Sequence, residues 1–293
     1  MTIRLDMCKA VANAREALGD SAEAVRGLLQ RRLASEGGFQ GRDGRSDLYY
    51  TVFGLEASLM LGFDFPRERV TAYLDSFGQG ESLDLVHLAA LIRCRANLGS
   101  VRNPETLAQR LMTYRSRDGG FNMIPGEAQG SAYGSFLTLG VWQDLGIECP
   151  DIEAVAQSIA SLQRSGGGYA NEASMTAGAT PATAAAICTL HSLKRPIPES
   201  AIQWLLARVH PLGGFVAIPM IGDLGTPDLL STATALHALS LLGVCAEDAR
   251  DKHLDYLDSL WSAEGGFRGH WADDVVDCEY TYYGLLALGI LTA

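Results

Sequence analysis

The sequence predicts an all-α fold, a closed (α/α)6 toroid of about six helix pairs, and three observations predict it. A cassette of Gly-Gly-aromatic, short loop and apolar helix recurs from Gly37, Gly119, Gly167, Gly213 and Gly265. Between the cassettes lie amphipathic segments such as AIQWLLARVH and ARDKHLDYLDSLW. No segment sustains the period-two alternation of a strand. A repeat at about 40–50 residues implies units that bury their apolar faces only against their neighbours.

Each element follows from that pattern. Residues 1–34 read as one or two amphipathic helices that close the ring, with Ser21 placed to cap AEAVRGLLQRRLAS. The repeats occupy about 35–293, and the whole chain, 1–293, reads as one domain. The gap between Gly37 and Gly119 is about twice the usual period. It holds a degenerate unit, GQGESLDLVHLAALIRCRANLG from Gly78, which keeps an Asp, an apolar helix and a closing Leu-Gly. The helix after each Gly-rich loop is apolar on every side, as in STATALHALSLLG, and is therefore an inner, buried helix. The amphipathic segments are outer helices. The chain ends in GLLALGILTA, an apolar terminus that must be covered, which favours a closed ring over an open solenoid with polar caps. Gly-Gly permits the tight reversal from outer to inner helix, and the aromatics Phe39, Phe121, Tyr169, Phe215 and Phe267 serve as core pegs.

Composition excludes several classes. A hydrophobic share of 47% supplies a large core, and a net charge of −11 argues against nucleic acid and against an anionic membrane surface. There is no apolar signal core at the N-terminus and no run long enough to cross a bilayer. The six cysteines form no C-x-x-C, which points to reduced core thiols and a cytoplasmic location. No P-loop, dinucleotide fingerprint, H-E-x-x-H or G-x-S-x-G motif is present.

The cassettes resemble the repeats of protein prenyltransferase β subunits and of the β domain of squalene-hopene and other class II terpene cyclases. The resemblance spans about residues 35–293 and is carried by PDLLSTATALHALSLLG from Pro227 and VVDCEYTYYGLLALG from Val275. It implies an isoprenoid-like ligand and admits a protein partner or a homodimer. The prenyltransferases hold zinc through Asp, Cys and His; the matching positions here are Asp228, Leu230 and Tyr280, so neither metal nor other cofactor is expected. Their diphosphate-binding cations correspond to about Gly222, Gly225 and Ala128, which carry no charge. The cyclases protonate an alkene with the middle Asp of D-x-D-D. Here Asp228 keeps the first Asp and Leu230 replaces the acid, while the last cassette reads Asp277-Cys278-Glu279-Tyr280-Thr281 with Asp273-Asp274 upstream.

Asp47, Asp84, Asp228 and Asp277 recur at inner-helix starts, where an Asp side chain caps free N–H groups. The last cassette departs from the others. Asp273, Asp274, Asp277 and Glu279 crowd together beside His270, Trp271 and Tyr280. Crowding and burial raise carboxyl pKa values, and an acid kept protonated near neutral pH can donate a proton. The same run also reads as a solvated acidic loop. On a helix Glu279 is turned about 200° from Asp277, so only one of them faces the centre if the helix begins before Glu279. The catalytic candidates are Asp228, Asp277, Glu279 and Asp274. The expected substrate contacts are Tyr50, Phe53, Tyr133, Trp271, Tyr280 and Tyr283, aromatics able to line an apolar cavity and stabilise a cation. His87, His191 and His237 read as structural histidines. Together these point to a terpene cyclase- or prenyltransferase-like enzyme that uses a carboxylic acid, not zinc, to start cationic cyclisation or isomerisation. The alternative is a non-catalytic toroid that binds a lipid or a partner.

Overall fold

The computed structural model describes residues 2–218, 225–244 and 249–293. The inner helices are α3 (Leu48–Met60), α5 (Leu85–Asn97), α7 (Ala132–Leu145), α9 (Thr180–Ser192), α11 (Leu229–Leu241) and α13 (Cys278–Leu291). Each packs on the next, and α13 packs on α3, so the ring closes. The outer helices are α2 (Ala22–Arg32), α4 (Arg67–Asp75), α6 (Pro104–Leu111), α8 (Ile152–Ser161), α10 (Glu199–Leu206) and α12 (Arg250–Leu260). The two layers divide burial as the pattern requires. Helix α9 buries Thr180 and every residue from Ala182 to Leu190, whereas α10 buries only Ala201 and Leu205.

The Gly-Gly loops are docking points for the next outer helix. Gly213 has φ +89°, and a Cβ there would collide with the Lys252 carbonyl oxygen on α12. Gly265, at φ +96°, meets the Ala24 carbonyl in the same way, so the last loop docks on α2 and joins the chain's two ends. The aromatic that follows is buried, and its N–H donates to a hydroxyl four residues past the helix cap. The pairs include Phe39–Thr51 at 2.9 Å, Tyr169–Thr183 at 2.9 Å and Phe215–Thr232 at 2.9 Å. The degenerate unit has lost both partners, since Leu88 stands four residues after Asp84. Strands, which the pattern did not predict, appear as two-residue antiparallel pairs: β1 (Phe215–Val216) with β2 (Pro227–Asp228), and β3 (Trp261–Ser262) with β4 (Gly266–Phe267). They are too short to carry a periodicity.

Capping matches the recurring acids. Asp47 accepts from Tyr49 N–H at 2.7 Å, Asp84 from His87 at 2.9 Å, Asp228 from Ser231 at 2.7 Å and Asp277 from Tyr280 at 2.8 Å. Ser21 does not cap α2. It lies in the 3₁₀ turn Gly19–Ser21 with helical backbone angles and no side-chain cap bond, because the turn already continues into the helix.

Helix α1 (Ile3–Leu18) belongs to neither layer. It lies along α13 and touches α3 and α7 near their C-terminal ends, covering the apolar terminus. Gly289 makes this possible, since a Cβ there would strike the Ala10 carbonyl. Arg4 Nε meets Asp144 Oδ1 at 2.6 Å, and Ile3 N–H donates to Gln143 Oε1 at 2.9 Å. Beside them Arg93 grips Glu56 with Nε and Nη2, each at 2.6 Å, and Asn97 donates to Glu56 at 2.7 Å. One end of the ring is thus plugged by α1 and by charges that cancel in pairs. The thiols of Cys8, Cys94, Cys149, Cys188 and Cys278 are free; Cys245 lies outside the described residues.

Candidate functional site

The ring encloses a cavity of about 520 Å³, inside the range of roughly 300–1,000 Å³ for small-molecule sites. Its two sides differ in chemistry. Helix α9 contributes Pro181, Ala182, Ala185 and Cys188, whose small side chains create the space. Facing them stand Tyr49 from α3 and Tyr283 from α13, with Tyr133 and Phe136 on the neighbouring α7. Met7 of α1 and His237 lie at the deep end. His237 is nine residues past the Asp228 cap, about 13 Å down the helix at 1.5 Å per residue. Asn171 and Ile218 mark the mouth, where Ile218 is 55% exposed. A smaller space of about 80 Å³ shares Met7, Tyr49, Tyr133, Phe136 and Tyr283 and reaches Phe53 and Arg93.

The predicted acids fall into different environments. Asp277 is fully buried and pairs with Arg42 Nε at 2.7 Å, besides capping α13. Arg42 also holds Asp273 through Nη2 at 2.8 Å. Against partial burial, that bond and backbone N–H groups keep the Asp273 carboxyl below its ordinary range. Asp274 is exposed. Burial raises the Asp228 pKa, although its oxygen is already committed to Ser231. Glu279 is held within α13 and turned from Asp277 towards the aromatic side. The Tyr49 hydroxyl donates to its Oε1 at 2.5 Å, and the Glu279 charge is felt by Tyr133 and Tyr283. Burial, reinforced by the Asp277 charge, raises the Glu279 pKa against the opposing Tyr49 bond.

The predicted contacts divide as well. Tyr133 and Tyr283 line both spaces, and Phe53 lines the smaller one. Tyr50 packs edge-on against Tyr49, behind the lining. Tyr280 lies under Arg42, with the guanidinium 5.2 Å from its ring centre. Trp271 is 40% exposed on the side of α12, donating to Ser259 at 2.8 Å and packing on Tyr256 and His210.

The zinc positions do not fit a metal. The Asp228 carboxylate is a cap, Leu230 offers no donor atom and lines the cavity, and Tyr280 is a phenol under Arg42. Among the described residues no three His, Cys, Asp or Glu side chains gather to hold a metal ion. Gly222 lies outside the described residues, and Ala128 brings no charge. His87 is engaged by Asp84 at 2.8 Å and by Asp47 at 3.4 Å. Partial burial opposes its protonation, but these two carboxylates outweigh it and raise the pKa.

The sequence reading missed Arg42 and the small residues of α9, and it grouped Tyr49 with Tyr50 and Phe53 as lining aromatics. Arg42, in the first loop, shows no sign that it meets the last cassette. Tyr49 stood beside Tyr50 in the sequence without a means of choosing between them. The alanines of TPATAAAICT were the available signal: a helix so poor in volume leaves space beside it.

A closed ring of six helix pairs around an apolar cavity defines the class. The prenyltransferase alpha-alpha toroid domain model matches residues 5–79, 82–217 and 229–293, and the chain belongs to that family. No curated protein matches it by sequence. Among solved structures it resembles protein geranylgeranyltransferase-I of Candida albicans complexed with GGPP, at 15% identity and TM-score 0.71, covering 92% of this chain and 90% of that one. It also resembles the type II terpene cyclase MstE from Scytonema, at 14% identity and TM-score 0.62, covering 95% and 98%. A protein from Actinoplanes is similar at 16% identity and TM-score 0.57, covering 93% and 98%. Among the described residues no helix is long and apolar enough to cross a membrane.

Proposed function

We propose that the chain is a terpene cyclase-like enzyme that folds an isoprenoid-like substrate into the central cavity and starts a cationic cyclisation or isomerisation with Glu279. The observation that carries this reading is a half-buried carboxyl with raised pKa, hydrogen-bonded to Tyr49, a residue of the cavity wall. Protonated Glu279 gives its proton to an alkene carbon, whose π pair forms the new C–H bond and leaves a carbocation on the neighbouring carbon. The faces of Tyr133, Phe136 and Tyr283 stabilise that cation, each by about 0.5–2 kcal/mol. Loss of a proton from an adjacent carbon to the Glu279 carboxylate restores both an alkene and the acid, so the net change is isomerisation. Support for an isoprenoid comes from the apolar lining and from solved neighbours whose bound molecules are GGPP and geranylgeranyl dihydroxybenzoate.

The test is incubation with geranylgeranyl-bearing compounds and mass-spectrometric analysis of the products. Cyclised or isomerised products from the native chain, abolished by Glu279→Gln with ligand uptake retained, are expected. Unchanged turnover in that variant would assign the acid elsewhere, with Asp228 next. The engagement of Asp273 and Asp277 by Arg42 and of Asp228 by its cap favours a second reading, a non-catalytic lipid- or partner-binding toroid. Bound lipid without conversion in native mass spectra would establish it.

A further inference from the structure

The deep end of the cavity holds a polar group that the proposed acid chemistry does not use. His237 is 4% exposed, belongs to the cavity lining, and turns Nδ1 towards the Cys188 sulfur at 3.7 Å. Among the described residues its Nε2 has no hydrogen-bond partner. A buried imidazole nitrogen left unpaired is costly, and a ligand that pairs with it recovers that cost. The surroundings decide which ligand atom fits. Burial, aided by the charge of Arg93, lowers the His237 pKa to about 4, so the ring is neutral. Arg93, the cation whose charge His237 feels, is already committed to Glu56, so it does not make this end a seat for an anionic head. The tautomer is set by the proton shared with Cys188, and Nε2 is a donor in one tautomer and an acceptor in the other. A hydroxyl satisfies both.

We infer that His237 is a specificity-determining residue that pairs through Nε2 with a hydroxyl group of the isoprenoid ligand at the deep end of the cavity. The inference rests on the proposed isoprenoid reading of the cavity and is independent of whether the ligand is converted. It places the oxygenated end of the molecule beside α9 and α11, leaving the alkene end nearer Glu279. It also selects prenyl alcohols over hydrocarbons of the same length, because a hydrocarbon leaves Nε2 unpaired.

The experiment is a calorimetric titration of the full chain with geranylgeraniol and with the hydrocarbon in which its CH2OH is replaced by CH3. The alcohol is expected to bind about 10- to 100-fold more tightly. His237→Phe should bring the two ligands to equal affinity. His237→Gln, which carries a polar atom near the Nε2 position, should restore part of the preference, while His237→Asn, which reproduces only the Nδ1 side, should not. Thermal midpoints of the unliganded variants check that each is folded. Equal affinities in the native chain, or a preference that survives His237→Phe, would overturn the inference while leaving the isoprenoid reading intact. Failure of both ligands to bind would overturn both.

Discussion

The two sides of the cavity are built on opposite principles. The seam between α13 and α3 joins the last cassette to the first and is crowded with charge and hydroxyls: Arg42, Asp273, Asp277, Glu279 and Tyr49. The α9–α11 side is small and apolar, with alanines, Cys188 and one neutral histidine. At the seam, partners restrain nearly every ionisable group, and Glu279 is left with its pKa raised. At the α9–α11 side the space itself is the feature, and the unpartnered Nε2 of His237, a lining residue, stands out among the described residues. Reactivity is thus assigned to the side that is over-furnished, and ligand selection to the side that is nearly empty.

The largest expected effect separates the acids of the seam. Glu279→Gln should lower turnover by about 100-fold or more, the scale of general acid catalysis, whereas Asp274→Asn, at an exposed position, should leave it within about twofold. Turnover in the native chain should fall as pH rises through the elevated Glu279 pKa, because the protonated form is the active one. Equal losses in both variants would erase the contrast within the acidic run.

Two buried histidines, His237 on the α9–α11 side and His253 on outer helix α12, should govern acid stability. His237 and His253 are buried and have pKa values lowered to about 4. Below an unfolded pKa of about 6.5 the unfolded chain takes up protons that the folded chain refuses. Stability is therefore lost as pH falls from about 6.5 towards 4, on the order of 3 kcal/mol per histidine. Denaturant unfolding at pH 7 and pH 4.5 measures this, and His237→Phe should remove its share. Arg42→Ala tests the seam in the same assay. It strands the buried Asp277 and should cost about 2 kcal/mol, less than the roughly 3–5 kcal/mol for a fully buried pair because Arg42 is itself 38% exposed.

Smaller effects sharpen the division. Ala185→Phe fills the space beside α9 and should weaken geranylgeraniol binding about tenfold in calorimetry, with little change in the seam. Trp271→Ala removes a half-exposed ring bonded to Ser259. It should cost about 1 kcal/mol of stability or less and leave ligand affinity unchanged. A large loss of affinity there would place Trp271 in the binding path after all.

The ring was legible because its rules are local and repeated. Gly-Gly, the buried aromatic, the Asp cap and the all-round apolar helix each depend on residues within one unit, and their recurrence multiplied the signal. A further repeated signal lay in the sequence unread: Thr51, Ser135, Thr183, Thr232 and Thr281 each stand four residues after the cap and bind the aromatic's N–H. The candidate site was legible only in part. Periodicity placed Glu279 and Asp277 on different faces of α13, yet gave no means of choosing which face met the cavity. Tyr133 and Tyr283 were identifiable as aromatics on inner helices, but Trp271, equally aromatic and close to the acids, packs on α12.

The sequence by itself determined the number of units, the inner and outer layers and the Asp caps of the inner helices, because those follow from contacts a few residues apart. Only the tertiary structure decided that Arg42 reaches Asp277 and that α1 plugs one end of the ring. It also decided that Tyr49 rather than Tyr50 lines the cavity, and that His237 keeps a buried nitrogen with no partner among the described residues. Those outcomes depend on ring closure, which brings residue 42 against residue 277 and residue 4 against residue 144. No local pattern encodes such contacts, since they are fixed by how six nearly equivalent units share one centre.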